Sequence, residues 1–247
     1  MRNPWIRRSA GGAGLLAAAW LLAAPGPAAE PKLPPDLAKR TIEKDIAYLQ
    51  KALAKTPEKR AVPTLKTTAM LIALYAQNHQ QGGLRDQAVK VAEALAKKDY
   101  AGAKAAADGL KAGAGGGSAG EVKLHEAAKF DLAELMSAYR NATVGGLNME
   151  KDIRAQAKKA TDEKLIGEIA ARTVLIDEYA RKMPAEKAAA NPANLRKWEG
   201  YVDDTEKLAR ELAAEAAKGA GADKAVLAKK LKALDVSCTA CHNEFRD

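Results

Sequence analysis

Two cysteines, two phenylalanines and three histidines are all that this 247-residue chain carries, and aromatic residues make up 4% of it. Each shortage weakens a class of function. With few rings to stack on bases, and with lysines set among Glu and Asp rather than in a block, as in Lys207-Leu208-Ala209-Arg210-Glu211, nucleic-acid binding is disfavoured. The charges read as solvated helix surface with some attraction for acidic partners. A closed zinc site normally takes four Cys, His or carboxylate ligands, so two cysteines and three histidines supply one poorly. No Gly-rich phosphate loop, isolated nucleophile signature or distinct carboxylate pair is present, which leaves no enzymatic constellation. A peroxidase would further need a distal acid–base residue, and none is assignable.

What the chain does have is alanine, leucine, lysine and glutamate at helical spacing, which predicts an all-α fold. Helices are expected over residues 35–54, 62–79, 84–97 and 101–111, with Gly82-Gly83 stopping the second. The Gly-rich stretch 112–120 reads as a flexible linker and domain boundary. Beyond it, helices are expected over 121–142, closed by Gly145-Gly146, over 149–159, capped by Asn148, and over 162–183, capped by Thr161. Two more follow over 193–218 and from Asp223 onward. The reading therefore places a smaller helical bundle at 30–111 and a second helical unit at 121–247.

The start of the chain is of another kind. Arg2, Arg7 and Arg8 precede an apolar stretch at 11–24, and small residues with prolines run to Ala29, the pattern of a secretory signal peptide over 1–29. The apolar stretch is too short to span a bilayer comfortably, so cleavage near Glu30 and export are expected rather than a membrane anchor. Loss of the three arginines takes the formal charge from +9 to +6.

Both cysteines fall in one motif, Cys238-Thr239-Ala240-Cys241-His242. C-x-x-C-H is the pattern of c-type haem attachment, in which two thiols reach the vinyl groups on one porphyrin edge and the adjacent imidazole ligates iron. On a helix the three side chains lie on one side, within about 1.1 turns. A thioredoxin-like pair belongs at a helix N-terminus after a strand, which this pair is not. Leu227, Leu231, Leu234, Cys238, Cys241 and Phe245 follow at spacings of 4, 3, 4, 3 and 4, so the thiols continue an apolar stripe and are expected to be buried with it.

The terminal position of the motif, its Phe245-Arg246 continuation, the helical pattern of 121–247 and the export signal together resemble the class II cytochromes c, cytochrome c prime and its cytochrome c556-like relatives. The resemblance implies an antiparallel four-helix bundle with one covalent haem c on its last helix. Cys238 and Cys241 would form the thioether bonds, His242 would be the proximal iron ligand and Arg246 would lie beside the haem. It further implies a distal ligand from the first helix of the unit, where Met136 stands on the face of Leu132 and Tyr139; a methionine filling the core is the other reading of that residue. His125 and His79 are poorer candidates, the first set among charged neighbours and the second at a helix end.

Three functions remain open: a periplasmic one-electron carrier, a five-coordinate protein binding NO or CO, and a haem-stabilised interaction module. An acidic redox partner is expected, and homodimerisation is compatible with the resemblance. Three segment pairs, Asp45–Leu49 with Asp131–Leu135, Leu71–Ala76 with Leu175–Ala180 and Lys90–Ala96 with Lys207–Ala213, are similar at offsets of 86, 104 and 117, as a duplicated bundle without a second motif would be.

Overall fold

Proline starts, side-chain caps and apolar stripes generate ten α-helices and no strand among the described residues. The computed structural model describes residues 32–113, 116 and 120–246, so the expected signal peptide and most of the Gly-rich linker lie outside the described residues. Helix α1 (Pro35–Leu53) opens on a proline at its first position, where a missing N–H costs nothing, and buries Leu37, Ile42, Ile46, Leu49 and Leu53. Helix α2 (Val62–Asn78) is buried without a break over residues 64–76. A helix buried all round must be surrounded. Helices α1 and α3 (Gly82–Ala96) flank it, and α4 (Tyr100–Asp108) packs on α3 and returns to α1, closing a ring of four.

The turn after α2 differs from expectation. Gly82 and Gly83 open α3 rather than stop α2; the stop is Gln80 at φ +56, with Gln81 N–H donating back to Ala76 O at 2.7 Å. Lys98 at φ +60 and the Asp99 N–H to Ala94 O bond (2.9 Å) end α3 the same way. Hydrogen bonding of the last carbonyls pays for a left-handed residue that is not glycine.

A larger difference lies at 121–142. In place of one helix stands a run of single turns: a 3-10 segment over Leu124–Lys129, helix α5 (Leu132–Leu135), and 3-10 turns over Met136–Tyr139 and Ala142–Val144. Ala127 is extended and Ala128 sits at φ +58, which breaks the helix. Asp131 restarts it with a capping box, its carboxylate accepting from Glu134 N–H at 2.8 Å while Glu134 accepts from Asp131 N–H at 3.4 Å. Gly145, at φ +89, closes the last turn against the N-terminal segment, where a Cβ would come within 2.3 Å of Arg60 O.

The rest of the chain forms a second ring. Helix α7 (Glu163–Ala180) packs on α9 (Pro192–Ala216), α9 on α10 (Lys224–Phe245), α10 on α6 (Met149–Lys158), and α6 closes on α7; the short α8 (Glu186–Ala189) lies on α9. Two of the caps differ from those expected. Asp162, not Thr161, caps α7, accepting from Leu165 N–H at 2.9 Å. Asn148 precedes α6 at φ +63 and spends its side chain on Ala142 N–H (2.7 Å) rather than on that helix. Asp223 caps α10 as expected, through Ala225 N–H and Val226 N–H.

The two rings share one core. Arg172 on α7 makes a buried two-pronged pair with Asp45 on α1, at 2.6 and 3.0 Å to Oδ1 and 3.2 Å to Oδ2, and Lys44 reaches Glu168 at 2.5 Å. Tyr179 Oη donates to Met70 O at 2.8 Å. Gly167 lets α1 approach, because a Cβ there would meet Leu37 Cδ1 at 2.9 Å. Among the described residues no helix is long and apolar enough to cross a membrane.

Candidate haem site

Helix α10 carries its apolar stripe into the core as far as Leu234, and Phe245 is buried again at its end. Between them the packing opens. Cys238 and Cys241 are partly buried and pack against the core, less enclosed than the leucines before them, and His242 is exposed. They border a cavity of about 490 Å³. Ile176, Asp177 and Ala180 of α7 line it with Trp198, Tyr201 and Val202 of α9, so its walls are mainly apolar, and its size lies in the ordinary range for small-molecule and cofactor sites, roughly 300–1,000 Å³.

The end of α10 is fixed from several sides. Phe245 meets Trp198 and Tyr201 edge-on, at 5.6 and 6.2 Å between ring centres, and Trp198 Nε1 donates to Ala180 O at 3.1 Å. Lys197 pairs with Glu244 at 2.6 Å, and Lys187 donates to the Glu244 carbonyl. One turn back, Asp235 holds Arg154 at 3.1 Å, and Arg154 also reaches Glu150 on α6 at 2.8 Å. The five-residue motif is thus clamped at both ends.

Electrostatics set the protonation of the motif. Burial, with Asp177 adding to it, pushes the Cys238 thiol up to about 12 and the Cys241 thiol up to about 11. Reactive and redox-active cysteines need the opposite shift, toward thiolate, which disfavours a thioredoxin-like dithiol. Partial burial of its ring and the neighbouring Arg246 hold His242 below the usual histidine range against the pull of Glu150, which favours the neutral imidazole that can ligate a metal. Among the described residues no three His, Cys, Asp or Glu side chains are grouped to hold a metal ion by themselves.

Met136 borders the same cavity, half-buried, from its 3-10 turn, and Arg246 borders it beside His242. The structure therefore brings together Cys238, Cys241, His242, Arg246 and Met136. It places His125 and His79 elsewhere. His125 lies in the 3-10 segment with Nε2 3.6 Å from Glu126, and His79 follows the end of α2 with its ring on Tyr75, 4.3 Å between centres.

No known protein family, curated protein or solved structure matches this chain. The site accordingly stands on its own geometry. Two thiols and an imidazole at the C-x-x-C-H spacing, with a thioether on the same mainly apolar cavity, are side chains of the kinds that could hold a covalently attached haem, and the residues present fit that group.

One wall residue escaped the sequence reading. Asp177 is 7% exposed, and its Oδ2 has no hydrogen-bond partner. Burial first and Glu206 second hold its carboxyl well above the usual range, opposed by Thr205, Arg181 and Arg210. A signal was present: Ile166, Ala170, Thr173, Asp177 and Ala180 follow at spacings of 4, 3, 4 and 3, which puts a carboxylate on a buried stripe.

Proposed function

We propose that this chain is an exported monohaem c-type cytochrome that carries single electrons in the periplasm. Cys238 and Cys241 attach the haem, His242 is the proximal ligand, Met136 the distal one, and Arg246 lies beside the group. The reading rests on one observation, that the C-x-x-C-H motif and Met136 line the same mainly apolar cavity. The ring of α6, α7, α9 and α10 is read as the bundle that carries the haem on its last helix.

Bound haem supplies an iron that takes up and releases one electron. Everything else belongs to the protein. The two cysteines fix the edge of the group on α10, and Phe245, Trp198 and Tyr201 keep that helix end from shifting. His242, held neutral, would offer a ring nitrogen to the iron and Met136 a thioether sulfur, a pair of ligands that would favour electron transfer over binding of small ligands. Ile176 and Ala180 on α7 and Trp198 and Val202 on α9 would pack their apolar side chains against the group. His242 is exposed, and a formal charge of +6 without the first 29 residues would favour an acidic partner protein.

The test is an optical spectrum of the ferrous protein with and without carbon monoxide. Low-spin haem with slow carbon monoxide binding, converted by Met136→Ala to high-spin haem with fast binding, is expected. Fast binding by the unaltered protein would replace this reading with that of a five-coordinate gas-binding protein.

A further inference from the structure

Met136 does not sit on a stable helix of its own. The segment around it is built from single turns, and a four-residue helix such as α5 is far below the length that holds together in water. Yet its neighbours are among the most buried residues of the chain, Leu135 and Ala138 at 0% and Ser137 at 1% exposed. What holds it comes from across the linker.

Helix α2 reaches the turn with three hydrogen-bonding side chains, those of Thr64, Lys66 and Thr67. Thr67 Oγ1 donates to Glu134 O at 2.6 Å, two residues before Met136. Thr64 Oγ1 donates to Ser137 Oγ at 3.1 Å and approaches Ser137 O at 3.3 Å, one residue after it. Thr67 Oγ1 lies 3.4 Å from Ser137 Oγ, which joins the two anchors. Lys66, itself 4% exposed, pairs with Glu134 at 2.5 Å and donates to Ala128 O at 3.2 Å, across the break in the backbone. From the other ring, Tyr139 Oη donates to Thr173 Oγ1 at 3.1 Å.

The geometry points to α2 as the positioning element for the distal ligand: Thr64 and Thr67 clamp the backbone on both sides of Met136 and so set where its sulfur stands. This rests on the reading of Met136 as an iron ligand, and it gives the region before the linker a role in the haem site. Buried threonines, a serine and a lysine in that interface are costly to desolvate, and apolar side chains would pack two helices at least as well. Their pattern fits the placement of backbone carbonyls. A ligand held on rigid elements keeps its geometry within about 0.5 Å, and a looser turn loses it.

The experiment uses the haem-loaded full chain with Thr64→Val and Thr67→Val combined, which keeps shape and β-branching while removing both hydroxyls. Thr68→Val is the control, since the Thr68 hydroxyl bonds only to Thr64 O within α2, at 2.8 Å. The double variant is expected to bind carbon monoxide at least 10-fold faster than the control, to show a high-spin fraction, and to exchange the amide hydrogens of residues 132–139 at least 10-fold faster, with helix content unchanged. Thr67→Ser, which restores one hydroxyl in the Thr64→Val background, is expected to recover part of each effect relative to the double variant. Carbon monoxide rates and exchange within twofold of the control would overturn the inference. Should the unaltered protein bind carbon monoxide as fast as Met136→Ala, the ligand assignment itself falls, and this inference with it, whatever the threonine variants do.

Discussion

Arg172→Met is the substitution that most directly tests how the two rings are joined. The Arg172 guanidinium is 9% exposed and the Asp45 carboxylate 2%, and they meet through a fork at 2.6 and 3.0 Å to Oδ1 and 3.2 Å to Oδ2. Methionine matches the stem of arginine but leaves Asp45 buried beside Glu168 with no guanidinium. Removing one partner of a buried pair costs about 3–5 kcal/mol, a large share of the roughly 5–15 kcal/mol that holds a typical domain folded. At about 2–4 °C per kcal/mol for a chain of this size, the melting temperature should fall by roughly 6–20 °C.

The loss should depend on pH. Burial already holds the Asp45 carboxyl above the ordinary range, with Arg172 pulling it back down, so removal of Arg172 raises it further. An acid whose folded pKa is raised destabilises the fold increasingly as pH climbs from the unfolded value, 3.8, through the folded one. The deficit of Arg172→Met should therefore be larger at pH 8 than at pH 5. Asp45→Leu combined with Arg172→Met removes both charges and should recover most of the loss, since apolar pairs of similar volume replace buried ion pairs at little cost. Urea unfolding followed by far-ultraviolet ellipticity and by Trp198 fluorescence reads the outcome, the first from all helices and the second from α9. Because the pair bridges the rings, both transitions should shift together. A loss under 1 kcal/mol, or a shift in one probe alone, would refute the claim that the pair ties one cooperative core.

In the chain made without haem, Cys241 and Cys238 should both alkylate slowly at pH 8.5, Cys238 the more slowly. A thiol near 11 is about 0.3% ionised there, against about half of an ordinary cysteine, so iodoacetamide labelling should lag by about 100-fold or more; labelling at the rate of free cysteine would show that burial does not protect the pair. Asp177→Asn should flatten the pH dependence of stability in the same protein. The raised Asp177 carboxyl destabilises the fold as pH rises above 3.8, so the variant should gain on the order of 1 kcal/mol at pH 8 and little at pH 4 in thermal melts. An unchanged pH profile would mean that the carboxyl finds a partner in solution.

Much of the site was legible because its chemistry is local. Five adjacent residues carry the thiols and the imidazole, and the stripe from Leu227 to Phe245 places them on one helix whatever the rest of the chain does. Met136 was legible as a position and not as a structure. Alanine-rich sequence between 121 and 142 supports a helix by propensity, but at the break the Ala128 carbonyl is taken by Lys66 of α2, and propensity is a weak prior against tertiary packing; the Asp131-x-x-Glu134 capping box, by contrast, is a local signal of a restart that the sequence does carry. The glycine linker likewise marks a change in composition without saying that Asp45 and Arg172, on its two sides, bury a charge pair together.

The two rings set the internal similarities of the chain in a different register. Pairing Asp45–Leu49 with Asp131–Leu135 sets the middle of the 19-residue α1 against the cap and single turn of α5, two backbones with different hydrogen bonding. The same register sets Gln50 against Met136, yet the Gln50 side chain donates to Ala107 O at 3.1 Å and Leu110 O at 3.3 Å, at the end of α4. The rings offer another alignment. Helix α1 lies between α2 and α4 as α6 lies between α7 and α10, and the matches at offsets 104 and 117 already set α2 against α7 and α3 against α9. In that arrangement Glu43-Lys44-Asp45-Ile46 on α1 faces the identical run Glu150-Lys151-Asp152-Ile153 on α6, at an offset of 107, with Ile46 and Ile153 both buried. A shared tetrapeptide at equivalent places carries more weight than a looser match between a helix and a turn. In that alignment the Met136 segment has no counterpart among the four helices of the first ring, and it lies against α2.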